Sequence, residues 1–343
     1  MNQNIFVVYP SGKLGDFIWH VPFIKHISDI SHKRVILITR KSSSAQDILA
    51  NEDYIENIHF ILFKKGFLNY LKDILLMRKL FKKFNAKEVW ILDKISRPAI
   101  AAKLANIKII NGFGASNQSL WITNKNYLSK RDLKIHYIER SIKFFNLIKK
   151  PINYEFTNIN VSTDLTNTLK KKLKINEEKI ITYGIDSSEM WRSWPKEYFA
   201  ELILRIDKDD NFKHILIAGP QNSELAEDII KKINLRNVFN YSHLKIKNIM
   251  PILKITNIYI GNDSGILNLS AAIGTKSIGI FSATKSFNYS DNIIPVISTE
   301  GEISDTTDRL LDNNGKTIED PKLAIRVSVE DVYKKFKEIF ILQ

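Results

Sequence analysis

The sequence contains no cysteine among its 343 residues. A chain without cysteine forms no disulfide bond and offers neither a catalytic thiol nor a thiolate ligand for a metal. Its seven histidines show no HExxH motif or similar ligand spacing. We therefore expect no protein-bound metal.

The sequence also lacks an apolar run of the roughly 18 residues that a helix needs to span a bilayer. The apolar segment Ile5–Tyr9 is too short for a secretion signal and has no basic residues before it. We therefore expect the protein in the cytoplasm. With 44% hydrophobic residues the chain can form a large core, and its length favours two domains of roughly 150 residues.

Positive charge is concentrated in the first half of the chain. Residues 1–150 contain 26 Lys and Arg against 11 Asp and Glu, whereas residues 151–343 contain 25 against 26. This asymmetry suggests that the first half faces a polyanion, such as nucleic acid, an anionic membrane leaflet or a phosphorylated glycolipid. The alternative is a lysine-rich composition that places Lys on every solvated face.

Strand and helix patterns alternate along the whole chain, without an internal repeat or a low-complexity linker. Short, β-branched apolar runs are typical of buried parallel strands. The predicted strands are Ile5–Tyr9, Val35–Thr39, Ile58–Phe63, Val89–Leu92, Ile107–Ile110, Ile180–Tyr183, Ile215–Ala218, Ile258–Gly261 and Ser277–Phe281. The predicted helices are Phe17–Ser28, Phe67–Phe84, Arg97–Ala105, Ile135–Ile148, Lys196–Ile206, Ser223–Ile233, Asn248–Thr256 and Ser328–Phe340.

Two successive series of strands and helices predict an α/β protein with two Rossmann-like, doubly wound parallel-sheet domains facing a central cleft. The predicted domains are residues 1–160 and 175–325. A closing helix within residues 326–343 could pack on either domain, including back on the first. The polar, turn-rich segment Tyr289–Pro321 receives no predicted role.

The loop after the first strand, PSGKLGD, leads into a helical segment. Ligands of doubly wound folds bind at the carboxyl ends of the strands, so Lys13, Gly15 and His20 are candidate acceptor or cleft residues. Asp16 could cap the helix, or it could act as a general base that takes a proton from a bound hydroxyl. His20 is a competing base or a packed core residue. The glycine spacing fits neither a P-loop nor the dinucleotide fingerprint.

Three loops of the second domain follow buried strands and would converge on one edge of the sheet. Free amides and the positive end of a helix dipole at such an edge suit a diphosphate, although a helix cap alone also explains the strand-to-helix turn. An arginine there could hold the diphosphate and offset charge on a leaving group. The residues concerned are Asp263, Ser264 and Gly265, then Ser187, Ser188 and Arg192, and Gln221 within Gly219–Ser223.

Four segments follow one another along the chain: GKLGDFIWHVPFIKHI, SSEMWRSWPKEYFAELI, AGPQNSELAEDI and NDSGILNLSAAIGTKSIGIF. Together they resemble the signature blocks of the ADP-heptose:lipopolysaccharide heptosyltransferase family, glycosyltransferase family 9. The resemblance extends from Ile5 to about Phe281 and resumes at VSVEDVYKKF. It implies a GT-B fold with an amino-terminal acceptor domain, a carboxyl-terminal donor domain, no metal, and inversion at the anomeric carbon.

The resemblance also implies roles for individual residues. Asp16 falls on the family's catalytic base, and Arg192 stands where a Lys usually contacts the donor phosphates. Asn268 replaces a usual His, and Ser282-Ala283-Thr284 replaces a usual Gly-Pro-Thr. A neutral Asn cannot supply the charge of an imidazolium, so these departures bear on the identity of the sugar. The implied donor-binding residues are Ser187, Ser188, Arg192, Gln221, Leu244, Asp263, Ser264, Gly265 and Asn268.

The resulting hypothesis is an inverting, metal-independent glycosyltransferase that moves heptose from ADP-heptose to a lipopolysaccharide-core or related glycan, with no cofactor beyond its nucleotide-diphospho-sugar substrate. The expected acceptor is an anionic glycolipid, which would bring the protein to the cytosolic face of the inner membrane. One alternative is a GT-B enzyme for another nucleotide sugar or acceptor, or an epimerase of that fold. A nucleic-acid-binding protein is a remote alternative, because the basic charge comes without a recognisable nucleic-acid motif.

The basic segment Lys64–Lys87 has two interpretations. On a helix, one apolar face would contain Phe67, Leu71, Ile74, Leu75 and Phe81, with lysines largely elsewhere. Such a helix could lie on anionic lipid. It could equally be an ordinary helix that covers a parallel sheet, which is the interpretation we favour from sequence.

Overall fold

The computed structural model describes residues 4–172, 178–189, 193–281, 290–297 and 321–341. The chain divides into two compact units, Met1–Thr157 and Asn158–Gln343. Each unit contains one parallel β-sheet with helices on it, which confirms the predicted α/β class. In the described ranges, no helix is both long enough and apolar enough to cross a membrane.

The first unit has five described strands in the order β3-β2-β1-β4-β5, all parallel. The strands are β1 (Asn4–Val8), β2 (Val35–Thr39), β3 (Ile55–Phe60), β4 (Ala86–Ile91) and β5 (Ile109–Gly112). The helices are α1 (Leu14–Ser31), α2 (Ala45–Ile48), α3 (Phe67–Lys83), α4 (Arg97–Leu104) and α5 (Tyr137–Leu147). This is the strand order of a doubly wound fold. β2 and β3 lie on one side of β1, and β4 and β5 lie on the other side, so the strand order reverses between β1 and β4.

Helices cover both faces of the first sheet, which is why Ile5–Val8 of β1 and Val35–Ile38 of β2 are apolar and buried. Phe6 and Val8 of β1 pack in one cluster with Ile74 and Met77 of α3. On α1, Phe23 stacks against Phe145 of α5 at 5.8 Å between ring centroids. The core therefore lies in two layers, one on each side of the sheet.

Two strands of the first unit lie a few residues from their predicted positions. β3 begins at Ile55 rather than Ile58 and stops before Phe63, whose φ of 49° takes the chain out of the extended conformation. β5 begins at Ile109 rather than Ile107, because the Ile107 amide closes the end of α4 on the Ala102 carbonyl. Apolar residues that are buried just outside a strand lengthen the apolar run in the sequence, so the ends of the strand are predicted at the wrong residues.

The second unit has six described strands in the order β11-β10-β9-β6-β7-β8, again all parallel. The strands are β6 (Lys179–Gly184), β7 (Phe212–Ile217), β8 (Val238–Asn240), β9 (Ile258–Asn262), β10 (Lys276–Phe281) and β11 (Ile293–Ile297). The helices are α6 (Thr163–Lys172), α7 (Lys196–Ile206), α8 (Ser223–Ile233), α9 (Ile246–Ile255), α10 (Gly265–Ala272) and α11 (Val329–Ile341). The order is that of a Rossmann fold, with its reversal between β6 and β9.

Three elements of the second unit were not predicted. β8 and β11 are the two edge strands of the sheet, and β11 lies within the segment Tyr289–Pro321 that received no role. β11 contains Pro295, which argues against a central strand but is tolerated at an edge. α6 has no buried residue, so it lacks the apolar periodicity that would mark it.

The closing helix α11 packs on the second unit. Phe336 is fully buried and lies 5.9 Å from Phe212 of β7 between ring centroids. Arg205 of α7 forms an ion pair with Glu330 at 2.6 Å. Ser328 starts the helix, since its hydroxyl accepts from the Asp331 amide at 3.1 Å while the Asp331 carboxylate accepts from the Ser328 amide at 3.2 Å.

The predicted apolar face of α3 divides into a buried part and an exposed part. Ile74 and Phe81 are buried against the sheet, as an ordinary covering helix requires. Phe67, Leu71 and Leu75 are exposed instead. The buried side of the helix is completed by Met77 and by Asp73, so α3 covers the sheet with only part of the predicted apolar face.

Candidate active site

Asp16 lies in the first turn of α1, at the carboxyl end of the central strand β1. The N-cap residue of α1 is Lys13, so the interpretation of Asp16 as the N-cap was wrong. The Ser11 hydroxyl donates a hydrogen bond to the Asp16 carboxylate at 3.4 Å. A carboxylate at this point is stabilised by the positive end of the helix dipole and lies where the sheet order reverses.

Neighbouring loops fix the backbone around Asp16. A Cβ on Gly12 would lie 2.9 Å from the Ser42 hydroxyl and 3.2 Å from the Arg40 side chain, so the absence of a side chain at Gly12 helps the two loops to pack closely. Arg40 in turn donates to the Phe63 carbonyl at 3.2 Å. The loops after β1, β2 and β3 are thereby tied together at the carboxyl edge of the sheet.

His20 is a packed core residue rather than a second base. Its ring is fully buried and lies between Tyr9 and Tyr137, with centroids at 3.8 and 5.1 Å. Its Nδ1 lies 3.0 Å from the Asp16 carbonyl oxygen, which can only accept, so Nδ1 carries the proton. Burial lowers the pKa of His20 to about 3. The imidazole is therefore neutral at physiological pH and is a poor proton acceptor.

Two charged residues that the sequence did not single out lie at the same edge. Asp93 follows β4, the strand beside β1, and Arg140 projects from α5. Burial raises the pKa of Asp93 and lowers the pKa of Arg140, while each residue stabilises the charge of the other. Arg140 Nε is buried without a hydrogen-bond partner among the described residues. A polar substrate at this edge would meet both charges.

The loop after β5 is held by Gln118. This side chain is fully buried, donates to the carbonyls of Asp93 and Ile95 at 2.9 and 2.8 Å, and accepts from the Gly114 amide at 2.8 Å. One amide therefore joins the loop after β5 to the loop after β4. Of the predicted acceptor residues, Lys13 is exposed and Gly15 is half-buried in the first turn of α1.

In the second unit, the turn at Asp263, Ser264 and Gly265 lies where β9 ends and α10 begins. Ser264 is the N-cap, and its hydroxyl accepts from the Leu267 amide at 3.4 Å. That cap satisfies one amide of the first turn, while the remaining first-turn amides have no partner within the helix. Capping and anion binding are therefore compatible at this turn.

Asp186 links two of the other donor loops. Its carboxylate accepts from the Gly219 amide at 2.7 Å and from the Asn222 side chain at 3.1 Å. Beside it, the Ser187 hydroxyl donates to the Glu189 carbonyl at 2.6 Å, so it closes its own turn. The loops after β6, β7 and β9 thus lie at the carboxyl ends of three adjacent strands, as the sequence predicts.

The remaining predicted donor residues lie in different settings. Gln221 is exposed in the short turn Pro220–Asn222, and Leu244 is half-buried in the loop after β8. The Asn268 side chain donates to the Ser264 carbonyl at 3.2 Å, within its own helix. Arg192 and Ser282-Ala283-Thr284 lie outside the described residues.

Residues 77–306 match the sequence model described as glycosyltransferase family 9 (heptosyltransferase), which covers more than half of the chain. The chain belongs to glycosyltransferase family 9. It is therefore a glycosyltransferase of the heptosyltransferase type, and the family resemblance read from the sequence is confirmed.

Family 9 relatives cover nearly the whole chain. Lipopolysaccharide heptosyltransferase 1 of Campylobacter coli is 26% identical over 315 residues, which are 86% of this chain and 87% of the relative. ADP-heptose lipopolysaccharide heptosyltransferase II of E. coli superimposes with a TM-score of 0.75 at 13% identity, over 99% of both chains. The E. coli heptosyltransferase WaaC with ADP-2-deoxy-2-fluoro heptose superimposes with a TM-score of 0.65 at 15% identity, over 98% of this chain and 100% of that one. These likenesses show that the fold is GT-B.

One feature of the carboxyl edge of the second sheet was not predicted. The side chain of Tyr259 runs along the sheet past Gly184 and Gly261, which pair in register on β6 and β9. A Cβ on Gly184 would overlap the Tyr259 hydroxyl, and a Cβ on Gly261 would lie 2.6 Å from it. The two glycines therefore make room for the phenol, but a sequence does not reveal which side chain uses the space that a glycine leaves.

Two buried polar atoms at this edge make no hydrogen bond of standard geometry in the described part of the chain, although the Ser264 side chain lies close enough to one of them, the Tyr259 phenol, to affect its pKa. They are the Tyr259 hydroxyl and the Asn262 side-chain nitrogen, both in residues without solvent exposure. The Asn262 side-chain oxygen is used, since it accepts from the Trp194 amide at 2.9 Å. Burial raises the pKa of Tyr259, so its hydroxyl keeps its proton and can donate a hydrogen bond.

Proposed function

We propose that the protein transfers heptose from ADP-heptose to a lipopolysaccharide-core acceptor, with Asp16 as the general base. The observation that carries the proposal is the position of Asp16 in the first turn of α1, at the carboxyl edge where the first sheet reverses its order. Family 9 membership and relatives named as heptosyltransferases support the donor and the acceptor.

Asp16 acts on the acceptor. Its carboxylate takes the proton of a sugar hydroxyl as the hydroxyl oxygen attacks the anomeric carbon of the donor. Ser11 holds the carboxylate at 3.4 Å, and the tied loops around Gly12 hold the backbone. His20 does not compete for the proton, because burial lowers its pKa to about 3.

The second unit stabilises the leaving diphosphate. First-turn amides of α10 beside Ser264 supply hydrogen-bond donors and the positive end of a helix dipole. Arg192 adds a charge that offsets the charge developing on ADP. These groups take the place of a metal ion in our proposal. A single displacement then inverts the configuration at the anomeric carbon.

The base is tested by replacing Asp16→Asn, which keeps the side-chain shape and removes proton-accepting power. We expect the transfer rate to fall by roughly 10²- to 10⁴-fold, because that is the typical contribution of a general base. ADP affinity, measured by calorimetry, should stay unchanged because the donor loops are untouched.

The matched control is Asp29→Asn on the same helix, where the carboxylate is exposed and, among the described residues, forms an ion pair with Lys25 alone at 2.7 Å. This variant should retain wild-type turnover. Turnover of Asp16→Asn within a few-fold of the wild type would remove Asp16 as the base.

Asn268 favours one alternative, a GT-B enzyme that transfers a different sugar. Its amide is neutral and bonds to the Ser264 carbonyl within α10, where an imidazolium could have contacted the donor. A thermal-shift panel of ADP-, UDP- and GDP-sugars separates the candidates, because a bound donor raises the melting temperature by mass action. We expect ADP-heptose to give the largest rise, and a larger rise with another nucleotide sugar would establish the alternative.

A further inference from the structure

The outer side of α3 carries a contiguous set of large apolar side chains. The inner side, with Ile74, Met77 and Phe81, already fills its place in the core. The outer apolar residues therefore play no part in covering the sheet, and exposed sets of this size mark interaction surfaces. They are Phe67 (74% exposed), Leu68 (80%), Leu71 (41%), Leu75 (61%) and Leu76 (43%).

Basic residues surround this apolar set. Asp73 is the one acidic residue of α3, and it is buried in an ion pair with Arg97. None of the exposed lysines has a carboxylate partner within the described ranges. The basic residues are Lys64, Lys65, Lys72, Arg78, Lys79, Lys82 and Lys83.

The position of α3 places the apolar end of this surface near the edge of the first sheet that contains Asp16. α3 follows β3, so its first turn lies at the carboxyl edge of the first sheet, the edge at which Asp16 lies. The apolar residues occupy the first three turns, about 14 Å of helix axis, and the basic residues dominate the last turns. Leu62, which is 65% exposed just before the helix, extends the apolar surface toward that edge.

We propose that this outer face of α3 binds the surface of an anionic lipid bilayer. Phe67, Leu68, Leu71 and Leu75 would enter the boundary between headgroups and acyl chains, while the lysines contact anionic headgroups. The lysines of this surface, which have no carboxylate partner among the described residues, favour an anionic lipid surface as the binding partner. A neutral apolar partner would leave their positive charge uncompensated. The inference rests on the proposed function in one respect: it gives a lipid-linked acceptor a route to the edge that holds Asp16.

Vesicle sedimentation without any nucleotide sugar tests this surface. We expect binding to vesicles of phosphatidylethanolamine with phosphatidylglycerol, weak binding to phosphatidylcholine alone, and loss of binding at high salt. Leu68→Gln with Leu75→Gln should weaken binding at least about tenfold, because two exposed leucines no longer insert. Lys72→Gln with Lys79→Gln should weaken it about tenfold or more through lost headgroup attraction.

The matched control is Leu165→Gln on α6, where the leucine is 52% exposed on another helix. It should bind vesicles like the wild type. Equal sedimentation of the wild type and both α3 variants with vesicles would overturn the inference. Binding of the protein through α3 to an acidic protein, but never to vesicles, would overturn it as well.

A second readout separates this inference from the proposed function. The α3 variants should transfer sugar to a water-soluble, deacylated acceptor at the wild-type rate, since the substitutions touch only exposed side chains. Wild-type vesicle binding with no transfer of any sugar would defeat the proposed function alone. Wild-type transfer with no vesicle binding would defeat the membrane surface alone.

A different observation, the buried Tyr259 hydroxyl that makes no hydrogen bond of standard geometry among the described residues, carries a second inference. Gly184 and Gly261 leave space for the phenol at the ends of β6 and β9, the strands between which the sheet order reverses. Ser264 and Asp186, one from each flanking donor loop, are the groups whose hydroxyl and charge reach the phenol. The hydroxyl is fully buried and has a proton to donate.

The geometry points to Tyr259 as a binding residue that donates a hydrogen bond to the donor diphosphate. Tyr259→Phe tests this, because it removes one oxygen and keeps the ring. ADP affinity should fall about tenfold, as expected for a lost hydrogen bond to a charged group. Thermal stability without ligand should change little, because the Tyr259 hydroxyl makes no hydrogen bond of standard geometry in the described part of the chain.

The matched control is Tyr183→Phe, whose hydroxyl pairs with His214 Nδ1 at 3.0 Å inside the same sheet. This variant should lower the melting temperature and leave ADP affinity unchanged. Unchanged ADP affinity in Tyr259→Phe would remove the inference. A wild type that binds no ADP would instead defeat the proposed donor.

Discussion

At the scale of residues, the environment of His20 decides which side chain can act as base. The imidazole lies between two tyrosine rings and donates to the carbonyl of Asp16, so it orients the first turn of α1 instead of exchanging protons with a substrate. Its place in the core follows from the aromatic residues around it, and these come from distant parts of the chain.

His20 makes stability depend on pH. Its pKa is about 3 in the folded protein and 6.5 when unfolded, so the unfolded chain binds more protons between these values. Stability from this group is therefore complete above pH 6.5 and is lost as pH falls. Between pH 7 and pH 5 the loss should be about 2 kcal/mol.

Urea unfolding of the wild type and of His20→Phe at both pH values isolates this contribution, since Phe keeps the ring stack and does not titrate. We expect a smaller loss in the variant. The same loss in both proteins would show that His20 is not the titrating group.

A site residue can be predicted from the sequence when it belongs to a local motif. It cannot be predicted when tertiary packing alone brings it to the site. Asp16 and the turn at Asp263 to Gly265 follow apolar strands directly, so their placement at sheet edges is predictable. Arg140 reaches the first edge only because α5 packs beside α1. No local pattern links Arg140 to Asp93, or Tyr259 to Gly184 on the neighbouring strand β6.

At the scale of elements, α3 and α4 are joined by the ion pair of Asp73 with Arg97, whose side chains are only 7% and 13% exposed. Replacing Asp73→Ala leaves the guanidinium buried without its partner. We expect unfolding free energy to fall by about 3–5 kcal/mol, as for other broken buried pairs.

The comparison for this prediction is Asp29→Ala, which breaks an exposed pair with Lys25 and should cost less than about 1 kcal/mol. Both values come from chemical denaturation at one pH. Similar losses in the two variants would mean that the α3–α4 pair is not effectively buried.

Central elements were predicted better than peripheral ones for a physical reason. β1 and β9 are covered on both faces, so nearly all of their positions are buried, and Ile5–Val8 and Ile258–Ile260 form clear apolar runs. The edge strands β8 and β11 are short and partly exposed, and α6 buries nothing, so their sequences resemble loops.

At the scale of the whole molecule, each of the two Rossmann-type sheets places polar functional groups at the point where its strand order reverses. The first sheet brings carboxylates and an arginine, and the second brings helix-start amides and buried hydrogen-bond donors. The excess positive charge lies in residues 1–150, the part that contains Asp16 and α3. In the proposed function, the first unit takes the acceptor and contacts the lipid surface, and the second unit binds the donor.

The most direct measurement of the central claim is the structure of the product formed from ADP-heptose and a deacylated lipopolysaccharide-core acceptor. We predict a product with one added heptose, in the anomeric configuration opposite to that of the donor by NMR, from the wild type and none from Asp16→Asn. A product that retains the donor's configuration, or one that Asp16→Asn forms at the wild-type rate, would contradict the account.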